Sequence, residues 1–351
     1  MKLMKIMKKC VKLMKLFLLF WRRIIFAKDH FDVPFKTKLK MNLCGGYLAD
    51  QYVLYDFEHN DKDEYLSEFD WYRSRYINEP FDFMMNNKVV CAEVLQQYVR
   101  VPKTYAVKNK GFLTSKDDRY SDYEALYQLL EEKRQLFIKP FGAGKGTDVN
   151  LFQIVDGKPY IGSKRSSRKE MIRYMQKKDD WMISECMEQH SYASALYDKT
   201  VNTIRMITLR DIHTKKIKIF FAVQRIGTSA TIPVDNGSRG GLVSKIDLET
   251  GRLSEAKSLH SLEVHEVHPD SGAPIKGTVI PQWNEIKKEI LDLANKVYFM
   301  HFIAWDILVT EEGICIIEAN TSSGVNIIQL WGGQRHNELG DFYRFHKVIR
   351  K

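Results

Sequence analysis

Two consecutive apolar segments near the C-terminus restrict the fold of this chain more than any other feature of its sequence. IAWDILVT at 303–310 and ICIIEAN at 314–320 have the length and the β-branched content that are typical of buried strands. Residues 311–313 separate them, and the glycine of Glu312-Gly313 allows the chain to reverse there. We therefore expect two adjacent antiparallel strands.

Three oxygen-bearing side chains lie within this strand pair. Asp306 belongs to the first segment, whereas Glu318 and Asn320 are two residues apart in the second and therefore point to one face of the sheet. A carboxylate among isoleucines is costly to bury unless it is paired or binds a metal. Such oxygens suit Mg²⁺, which also retains waters and binds phosphate oxygens. The alternative interpretation is a salt bridge from Asp306 to Arg205 or Arg225.

Helical and strand-like segments alternate in the rest of the chain from Asn87 onward. Apolar periodicity predicts helices at 87–98, 120–134 and 282–300, a short strand-like stretch at 99–107, and β-rich sequence through 203–253. Asp156-Gly157 predicts a β-hairpin. The sequence therefore predicts an α+β protein, and it contains no internal repeat.

A glycine-rich segment follows the strand-like run QLFIKP. Lys139 ends that run, and Gly142, Gly144 and Gly146 follow, with Lys145 among them. An ammonium group and exposed backbone N–H groups can surround phosphate oxygens. The Walker A spacing is absent because Gly146 stands where Ser or Thr is required, and the dinucleotide-binding spacing is absent too. The alternative is an ordinary flexible hairpin.

The formal net charge of +10 comes from one end of the chain. Residues 1–28 carry nine Lys and Arg side chains and no acidic one, so the remaining residues are almost neutral. A nucleic-acid-binding protein normally carries its basic surface on the folded body, which argues against a nucleic-acid partner. The five cysteines form no CxxC pair, which argues against a disulfide scaffold.

Residues 1–28 have the pattern of an amphipathic helix. On a helical projection the basic side chains occupy one side and most Leu, Ile, Met, Phe and Trp side chains the other, although Leu16 and Leu19 fall on the basic side. Such a helix suits the surface of an anionic membrane, and no apolar run is long enough to span a bilayer. The alternative is a helix packed on its own body or on a partner. The segment 29–86 that follows has no motif that we can assign.

Seven motifs, in their order along the chain, resemble those of ATP-grasp ligases. The likeness is greatest to the sugar-transfer-associated ATP-grasp proteins that are found with polysaccharide-assembly genes, and it extends from about Asn78 to Leu330. The motifs are Lys88 with Val101-Pro-Lys-Thr104, Lys139-Pro140 with the glycine loop, Glu185-Cys-Met187, Asn202-Thr-Ile-Arg205, Gln224-Arg225, Asp235-Asn236 with Gly240-Gly241, and Asp306 with Glu318 and Asn320 in EANTSSG.

The resemblance implies an ATP-grasp fold, in which two α/β subdomains at 87–190 and 191–351 clasp ATP and Mg²⁺. It also implies roles for individual residues. The implied ATP contacts are Lys88 and Lys139 at the α- and β-phosphates, Gly142, Gly144 and Gly146 over the phosphates, Glu185 and Met187 at adenine, Glu188 at ribose, and Asn236. The implied catalytic residues are Arg205, Arg225 and Lys145, and the implied metal ligands are Asp306, Glu318 and Asn320.

The resemblance further implies an ADP-forming carboxylate–amine ligase. We expect it to form an amide between a sugar acid and an amino acid or amino sugar on a polysaccharide or its precursor, in the cytoplasm at the inner face of the membrane. The alternatives are an ATP-grasp kinase that phosphorylates a sugar hydroxyl, and a nucleotide-binding scaffold of a glycan-assembly complex. His260, His265 and His268 also allow a zinc hypothesis, which their spacing does not favour.

Overall fold

The computed structural model describes residues 2–142 and 148–350, without the side chains of residues 2–5, 8 and 9. Its α-helices are α1 (Lys2–Phe20), α2 (Phe35–Leu43), α3 (Ala49–Leu54), α4 (Glu68–Ser74), α5 (Asp82–Asn86), α6 (Lys88–Leu95), α7 (Tyr123–Lys133), α8 (Arg168–Lys177), α9 (Ser191–Leu196), α10 (Trp283–Lys296), α11 (Val325–Gln329) and α12 (Glu338–Phe345). A π-helical turn at Trp21–Ile25 continues α1. Within the described residues, no helix has both the length and the apolar content to cross a bilayer.

The described strands belong to two antiparallel sheets of seven strands each. The first sheet has the order β2-β1-β7-β3-β4-β5-β6, and the second has the order β12-β11-β10-β9-β8-β13-β14. The strands are β1 (Thr104–Asn109), β2 (Phe112–Thr114), β3 (Gln135–Pro140), β4 (Asn150–Val155), β5 (Lys158–Ile161), β6 (Lys164–Arg165), β7 (Trp181–Glu185), β8 (Ile204–Arg210), β9 (Ile217–Ile226), β10 (Leu242–Ile246), β11 (Leu253–Ser258), β12 (Val264–His265), β13 (Phe302–Thr310) and β14 (Gly313–Asn320). Helices and antiparallel sheets together confirm the predicted α+β class.

Each sheet has its own hydrophobic core. Helices α7 and α8 cover the first sheet, where Leu130 and Met171 pack with Trp181. Helix α10 covers the second sheet through Ile286 and Ile290, against a core that includes Trp305. The hairpin predicted at Asp156-Gly157 connects β4 and β5, and both of its turn residues have positive φ, as a type I′ turn requires.

Residues 100–103 form a short strap that is bonded to both sheets. The backbone N–H of Ile316 in β14 donates to the carbonyl of Arg100 over 2.9 Å, and the N–H of Glu185 in β7 donates to the carbonyl of Lys103, also over 2.9 Å. The strand expected at 99–107 therefore begins only at Thr104, because the preceding residues pair with two different sheets. Pro102 lies within this strap, and it has no N–H group with which to extend a β-ladder.

The N-terminal segment 29–86 packs against the second sheet. The side chain of Asn78 donates to the carbonyl of Phe302 over 2.6 Å and accepts from the N–H of His301 over 2.7 Å. The side chain of Gln329 in α11 likewise accepts from the N–H of Leu66 and donates to its carbonyl. The segment is therefore joined to the C-terminal half of the chain.

Helix α1 packs on the body by one side and exposes another. Leu16 and Ile24 are buried beside Tyr72 of α4, and the ring of Phe20 meets that of Phe69 at 5.2 Å. Leu16, which falls on the basic side of the helical projection, is thus a docking residue. A row of large apolar side chains remains between 41% and 60% exposed, namely Ile6, Met7, Val11, Leu13, Met14, Phe17, Leu18 and Trp21. Packing on the body and an exposed apolar side therefore coexist in this helix.

Candidate functional site

A solvent-open cleft lies between the two sheets. One wall comes from β3 and β7 of the first sheet, and the other from β13 and β14 of the second. The described side chains at this cleft are Lys88, Pro102, Phe137, Lys139, Val149, Glu185, Met187, Val201, Thr203, Arg225, Val234, Asp235, Asn236, Asp306, Leu308, Ile317 and Glu318. Residues far apart in sequence therefore meet at one site, as the motif order predicted.

The two carboxylates of the predicted metal site face each other across the β13–β14 hairpin. Asp306 and Glu318 are paired in the strand register, and Asn320 lies opposite Ala304, two residues further along β14. Asp306 is buried, whereas Glu318 and Asn320 are partly exposed. Two carboxylates and one amide oxygen at adjacent strand positions are a donor set that fits Mg²⁺, which takes few protein ligands and leaves positions for phosphate and water.

Asp306 is also the centre of a buried ion-pair network. Its Oδ2 lies 3.0 Å from Nη2 of Arg205 and 3.1 Å from Nη1 of Arg225. Burial alone would raise the pKa of Asp306, but the guanidinium groups of Arg205 and Arg225 outweigh burial and lower it. The salt bridge considered as the alternative role of Asp306 is therefore present in the protein without ligands. Oδ1 of Asp306 also accepts from Nε of Arg205 over 2.5 Å, so arginines hold both oxygens, and a metal at Asp306 would have to replace one of these contacts.

Arg225 connects Asp306 to a second buried carboxylate, Asp235. Asp235 accepts hydrogen bonds from Thr203, 2.7 Å from its backbone N–H and 2.6 Å from its hydroxyl, and pairs with Arg225. Burial alone would lower the pKa of the Arg225 guanidinium. The carboxylates of Asp235 and Asp306 outweigh burial and raise that pKa above its usual value. Burial raises the pKa of Asp235, although Arg225 counteracts it. This network holds the arginine against the cleft wall in one orientation.

Two lysines complete the charged end of the cleft. Nζ of Lys88 lies 3.3 Å from Oε1 of Glu318. Asn87 accepts hydrogen bonds from the N–H groups of Val89 and Val90 over 3.1 Å and so caps α6. Burial and the neighbouring Lys88 lower the pKa of Lys139 to about 8. A nearby anion would therefore be stabilised by Lys139 most strongly at neutral pH or below.

The opposite end of the cleft is mainly apolar and contains Glu185 and Met187, the residues expected at adenine. Met187 is buried with Leu308 and Cys315, and Phe137 and Ile317 also border the cleft there. Glu185 accepts a hydrogen bond from the N–H of Lys103 over 3.2 Å. These side chains could enclose a flat apolar ring. Glu188 is exposed and does not line the cleft.

The remaining predicted residues differ in how closely they approach the cleft. Asn236 borders it, and its side chain accepts from the N–H of Ser238 over 3.0 Å. Gly142 is exposed directly after β3. Gly144, Lys145 and Gly146 lie outside the described residues. Arg205 reaches the site through Asp306 rather than as a lining residue of the cleft.

The three histidines of the zinc hypothesis have separate surroundings. His260 stacks on His30 with ring centroids 3.7 Å apart, and His265 lies 3.6 Å from Glu263. His268 is buried, bonded to the carbonyl of Gly227 over 2.8 Å. Among residues 2–142 and 148–350, no three His, Cys, Asp or Glu side chains are arranged to hold a metal ion. The geometry therefore does not support zinc at these histidines.

The sequence alone did not single out Asp235 or Thr203 as site residues. Asp235 belongs to a quoted motif, but its role depends on Thr203 and Arg225, which only the fold brings to it. The apolar residues Phe137, Leu308 and Ile317 were missed because strand residues of this type are expected in any core. The useful signal was their position within two residues of the charged motif residues Lys139, Asp306 and Glu318.

The sequence model of one family, described as sugar-transfer associated ATP-grasp, matches residues 70–339. Among solved structures, the chain is similar to the ATP-grasp ligase PsnB in complex with Mg, ADP and a phosphomimetic variant of its minimal precursor. The identity is 12%, the TM-score is 0.38, and the match covers 70% of this chain and 54% of PsnB.

Two other solved structures show similar values. The biotin carboxylase domain of Hydrogenobacter thermophilus 2-oxoglutarate carboxylase, solved with ADP, Mg and bicarbonate, has 12% identity and a TM-score of 0.44 over 76% of this chain and 46% of its own. The D-alanine–D-alanine ligase from Coxiella burnetii has 13% identity and a TM-score of 0.37 over 69% and 49%. The chain thus spans about half the length of these proteins. No curated protein matches the sequence significantly.

Proposed function

Because the chain belongs to the sugar-transfer associated family of ATP-grasp proteins, we propose that it is an ADP-forming carboxylate–amine ligase. Its substrates are a sugar acid and an amino acid or amino sugar, which it joins by an amide on a cell-surface polysaccharide or its precursor. The observation that carries this proposal is the pairing of Asp306 with Glu318 across neighbouring strands, in a cleft that also contains Lys88 and Lys139. Carboxylates beside several cations suit a complex of Mg²⁺ with a nucleotide.

The two ends of the cleft suit the two ends of ATP. Lys88 and Lys139 would contact the phosphates, and the apolar surface near Met187 and Leu308 would enclose adenine. Mg²⁺, when bound by Asp306, Glu318 and Asn320, neutralises charge on the phosphate oxygens. Arg225, which is held by two carboxylates, would lose little entropy when it approaches a phosphoryl group.

The proposed reaction has two balanced steps. A carboxylate oxygen of the sugar acid attacks the γ-phosphorus of ATP, and the bond to the ADP oxygen breaks. The amine nitrogen then attacks the acyl carbon, phosphate leaves with the electron pair of the acyl–oxygen bond, and the nitrogen loses a proton. Positively charged Arg205 and Arg225 would stabilise the charge that develops on the transferred group.

The test is a screen of full-length protein with uronic acids, each paired with amino acids, in which ADP release is measured. A ligase also converts hydroxylamine and the acid into a hydroxamate, because hydroxylamine attacks the acyl phosphate. ADP release with a sugar but no hydroxamate would instead identify a kinase. ATP binding without turnover would identify a scaffold, and release of AMP would contradict the acyl-phosphate mechanism.

The lowered pKa of Lys139 predicts how nucleotide binding depends on pH. Below about 8 the ammonium is charged and attracts phosphate, and this attraction is lost as pH rises through that value. A charge-assisted contact contributes about 1.5–3 kcal/mol, and the charged fraction of Lys139 falls about tenfold between pH 7 and pH 9, so we expect ADP to bind up to about tenfold more weakly at pH 9. Titration calorimetry at the two values measures this.

The matched control for this prediction is Lys139→Arg, whose guanidinium stays charged across the whole range. Its affinity for ADP should change little between pH 7 and pH 9. An equally steep decline in this variant would show that another group causes the pH dependence.

For the location of the protein, we propose that α1 binds an anionic membrane surface. The exposed apolar row from Ile6 to Trp21 points away from the body, while Leu16 and Ile24 attach the helix to α4. Nine basic side chains within 1–28 are complementary to anionic headgroups, and apolar side chains can enter the acyl boundary. Helix α1 would thus hold the cleft near lipid-linked substrates.

Point variants test this surface better than truncation, because removing 1–28 would uncover Tyr72. We expect the double variant Phe17→Ser and Trp21→Ser to bind anionic vesicles roughly a hundredfold more weakly, since two aromatic side chains lose insertion worth about 3 kcal/mol. Sedimentation with vesicles containing phosphatidylserine measures the effect. Phe112→Ser, at an exposed position on β2, is the control. Equal sedimentation of all three proteins would contradict the proposal.

A further inference from the structure

A turn at residues 268–272, with the sequence His-Pro-Asp-Ser-Gly, lies between β12 and α10 and attaches to the loop 227–241 that connects β9 to β10. The backbone N–H of Gly272 donates to the carbonyl of His268 over 2.9 Å and closes the turn. The side chain of His268 is buried, but the described residues that line the cleft do not include it. The turn therefore acts on the loop and not directly on a ligand in the cleft.

The two ring nitrogens of His268 have different kinds of partner. Nε2 lies 2.8 Å from the carbonyl oxygen of Gly227, whereas Nδ1 accepts from the backbone N–H groups of Asp270 and Ser271 over 3.2 Å. A carbonyl only accepts and a backbone N–H only donates, so the ring is neutral and carries its proton on Nε2. The ring also stacks on Tyr197, with centroids 4.7 Å apart. One tautomer thus serves both the turn and the loop.

The base of the loop 227–241 is held from several sides. The N–H of Gly227 donates to Oδ1 of the buried Asn202 over 3.0 Å, so both backbone polar groups of this glycine have side-chain partners. The N–H and the hydroxyl of Ser229 donate to the two carboxylate oxygens of Asp270, over 2.8 and 3.0 Å. A Cβ on Gly227 would lie 2.3 Å from Oγ1 of Thr200, so only glycine allows this close approach.

The middle of the same loop borders the cleft. Its residues 234–236 are lining residues, and Asp235 pairs with Arg225 at the end of β9. The hydroxyl of Thr228 donates to the carbonyl of Gly240 over 3.2 Å, which joins the two ends of the loop. A displacement of the base would therefore be transmitted to Asp235, one of the two carboxylates that hold Arg225.

We propose that His268 is a positioning residue for phosphoryl transfer. By holding the carbonyl of Gly227, it fixes the base of the loop 227–241. The fixed loop keeps Asp235 against Arg225, whose guanidinium is then oriented toward the transferred group. The inference rests on the proposed function, because it assigns this orientation of Arg225 a task in the reaction. Asp270 provides a second attachment of the same loop.

Two substitutions of His268 separate its bond to Gly227 from its bonds within the turn. In His268→Gln the amide nitrogen takes the place of Nε2 and can still donate to Gly227, whereas in His268→Asn the amide oxygen takes the place of Nδ1 and serves only the turn. Both variants lose the stacking on Tyr197. With the best substrate pair from the screen, we expect His268→Asn to lower the turnover number at least about tenfold, with KM for ATP changed less than about threefold, because the loss concerns the transition state. His268→Gln should keep the turnover number within about threefold.

Hydrogen exchange followed by mass spectrometry measures the loop without any substrate. The amides of Thr231 and Val234 are bonded within it, to the carbonyls of Thr228 and Thr231. We expect peptides from 227–241 to exchange at least about tenfold faster in His268→Asn than in the unchanged protein, and at nearly the unchanged rate in His268→Gln. Asp270 is exposed, so Asp270→Ala leaves the core intact. It should also accelerate exchange and lower turnover, each by about threefold.

The matched control is Thr278→Ala, which removes a hydrogen bond within the same segment, from the Thr278 hydroxyl to the carbonyl of Pro274 over 2.8 Å. Its turnover and loop exchange should be unchanged. The positioning role is overturned if His268→Asn and Asp270→Ala leave the exchange of the loop unchanged, if they release the loop without lowering turnover, or if His268→Gln is impaired as strongly as His268→Asn.

Failure of the ligase proposal has a different signature. If the unchanged protein releases no ADP with any substrate pair, that proposal is rejected. Faster exchange of 227–241 in His268→Asn but not in His268→Gln would then still support the attachment of the loop through Gly227, and equal exchange in both variants would overturn it.

Discussion

Replacement of Glu318 by Gln is expected to lower the turnover number at least about a thousandfold. Glu318 faces Asp306 across the hairpin and contacts Lys88, so the change removes the charge of a proposed metal ligand and the ion pair with Lys88. Metal ions contribute several kcal/mol to phosphoryl transfer, and each 1.36 kcal/mol corresponds to a factor of ten in rate. ADP release with the best substrate pair from the screen measures the loss.

Nucleotide binding should persist in this variant, although more weakly, because the apolar end of the cleft around Met187 is unchanged. Glu312→Gln is the matched control: it lies at the turn of the same hairpin, is exposed, and pairs with Arg100. Near-normal turnover in Glu318→Gln would contradict the assignment of the metal site. A comparable loss of turnover in Glu312→Gln would mean that activity depends on the hairpin as a whole and not on the carboxylate of Glu318.

Replacement of Arg225 by Met is expected to destabilise the fold by about 3–5 kcal/mol at neutral pH. Arg225 is 13% exposed and lies between Asp235 and Asp306. Its loss leaves the buried Asp235 without its cationic partner, whereas Asp306 keeps Arg205. The destabilisation should shrink as pH falls, because protonation of Asp235, whose pKa burial already raises, removes the uncompensated charge. Urea unfolding at pH 7.5 and at pH 5 compares the midpoints.

Arg119→Met is the corresponding control on the surface, where Arg119 pairs with the neighbouring Asp117. Its unfolding midpoint should match that of the unchanged protein. An Arg225→Met midpoint that is also unchanged at pH 7.5 would show that the network around Asp306 contributes nothing to stability.

The sequence predicted the metal-site strands well because their chemistry is local. Asp306 and Glu318 lie within apolar runs that the sequence identifies as strands. Their exact pairing was not predictable, because the register shifts between Ile307 and Asp306 and so brings Glu318 opposite Asp306. The order of motifs then identified the fold. The lowered pKa of Lys139 could not be predicted from the sequence, because it depends on burial and on Lys88, which is remote in sequence.

The N-terminal half was less predictable. Periodicity identified α1 as amphipathic, but a projection shows only which side chains share a face and not what covers them. Leu16 interrupts the basic side in the projection and is nevertheless a buried contact. Likewise, Trp71 and Asn78 bond to partners more than 200 residues away, Ser322 and Phe302, which no local pattern can indicate.

The strap at 100–103 determines which motions are open to the two sheets. Because the carbonyl of Arg100 is bonded to β14 and that of Lys103 to β7, the sheets cannot separate or slide without breaking one of these bonds. Rotation about the backbone near Val101 remains possible, whereas Pro102 has a fixed φ. The strap therefore acts as a short hinge in which Pro102 fixes one of the backbone torsions. Closure of the cleft around a ligand should leave the amides of Glu185 and Ile316 protected from hydrogen exchange throughout, while amides at the open edge gain protection.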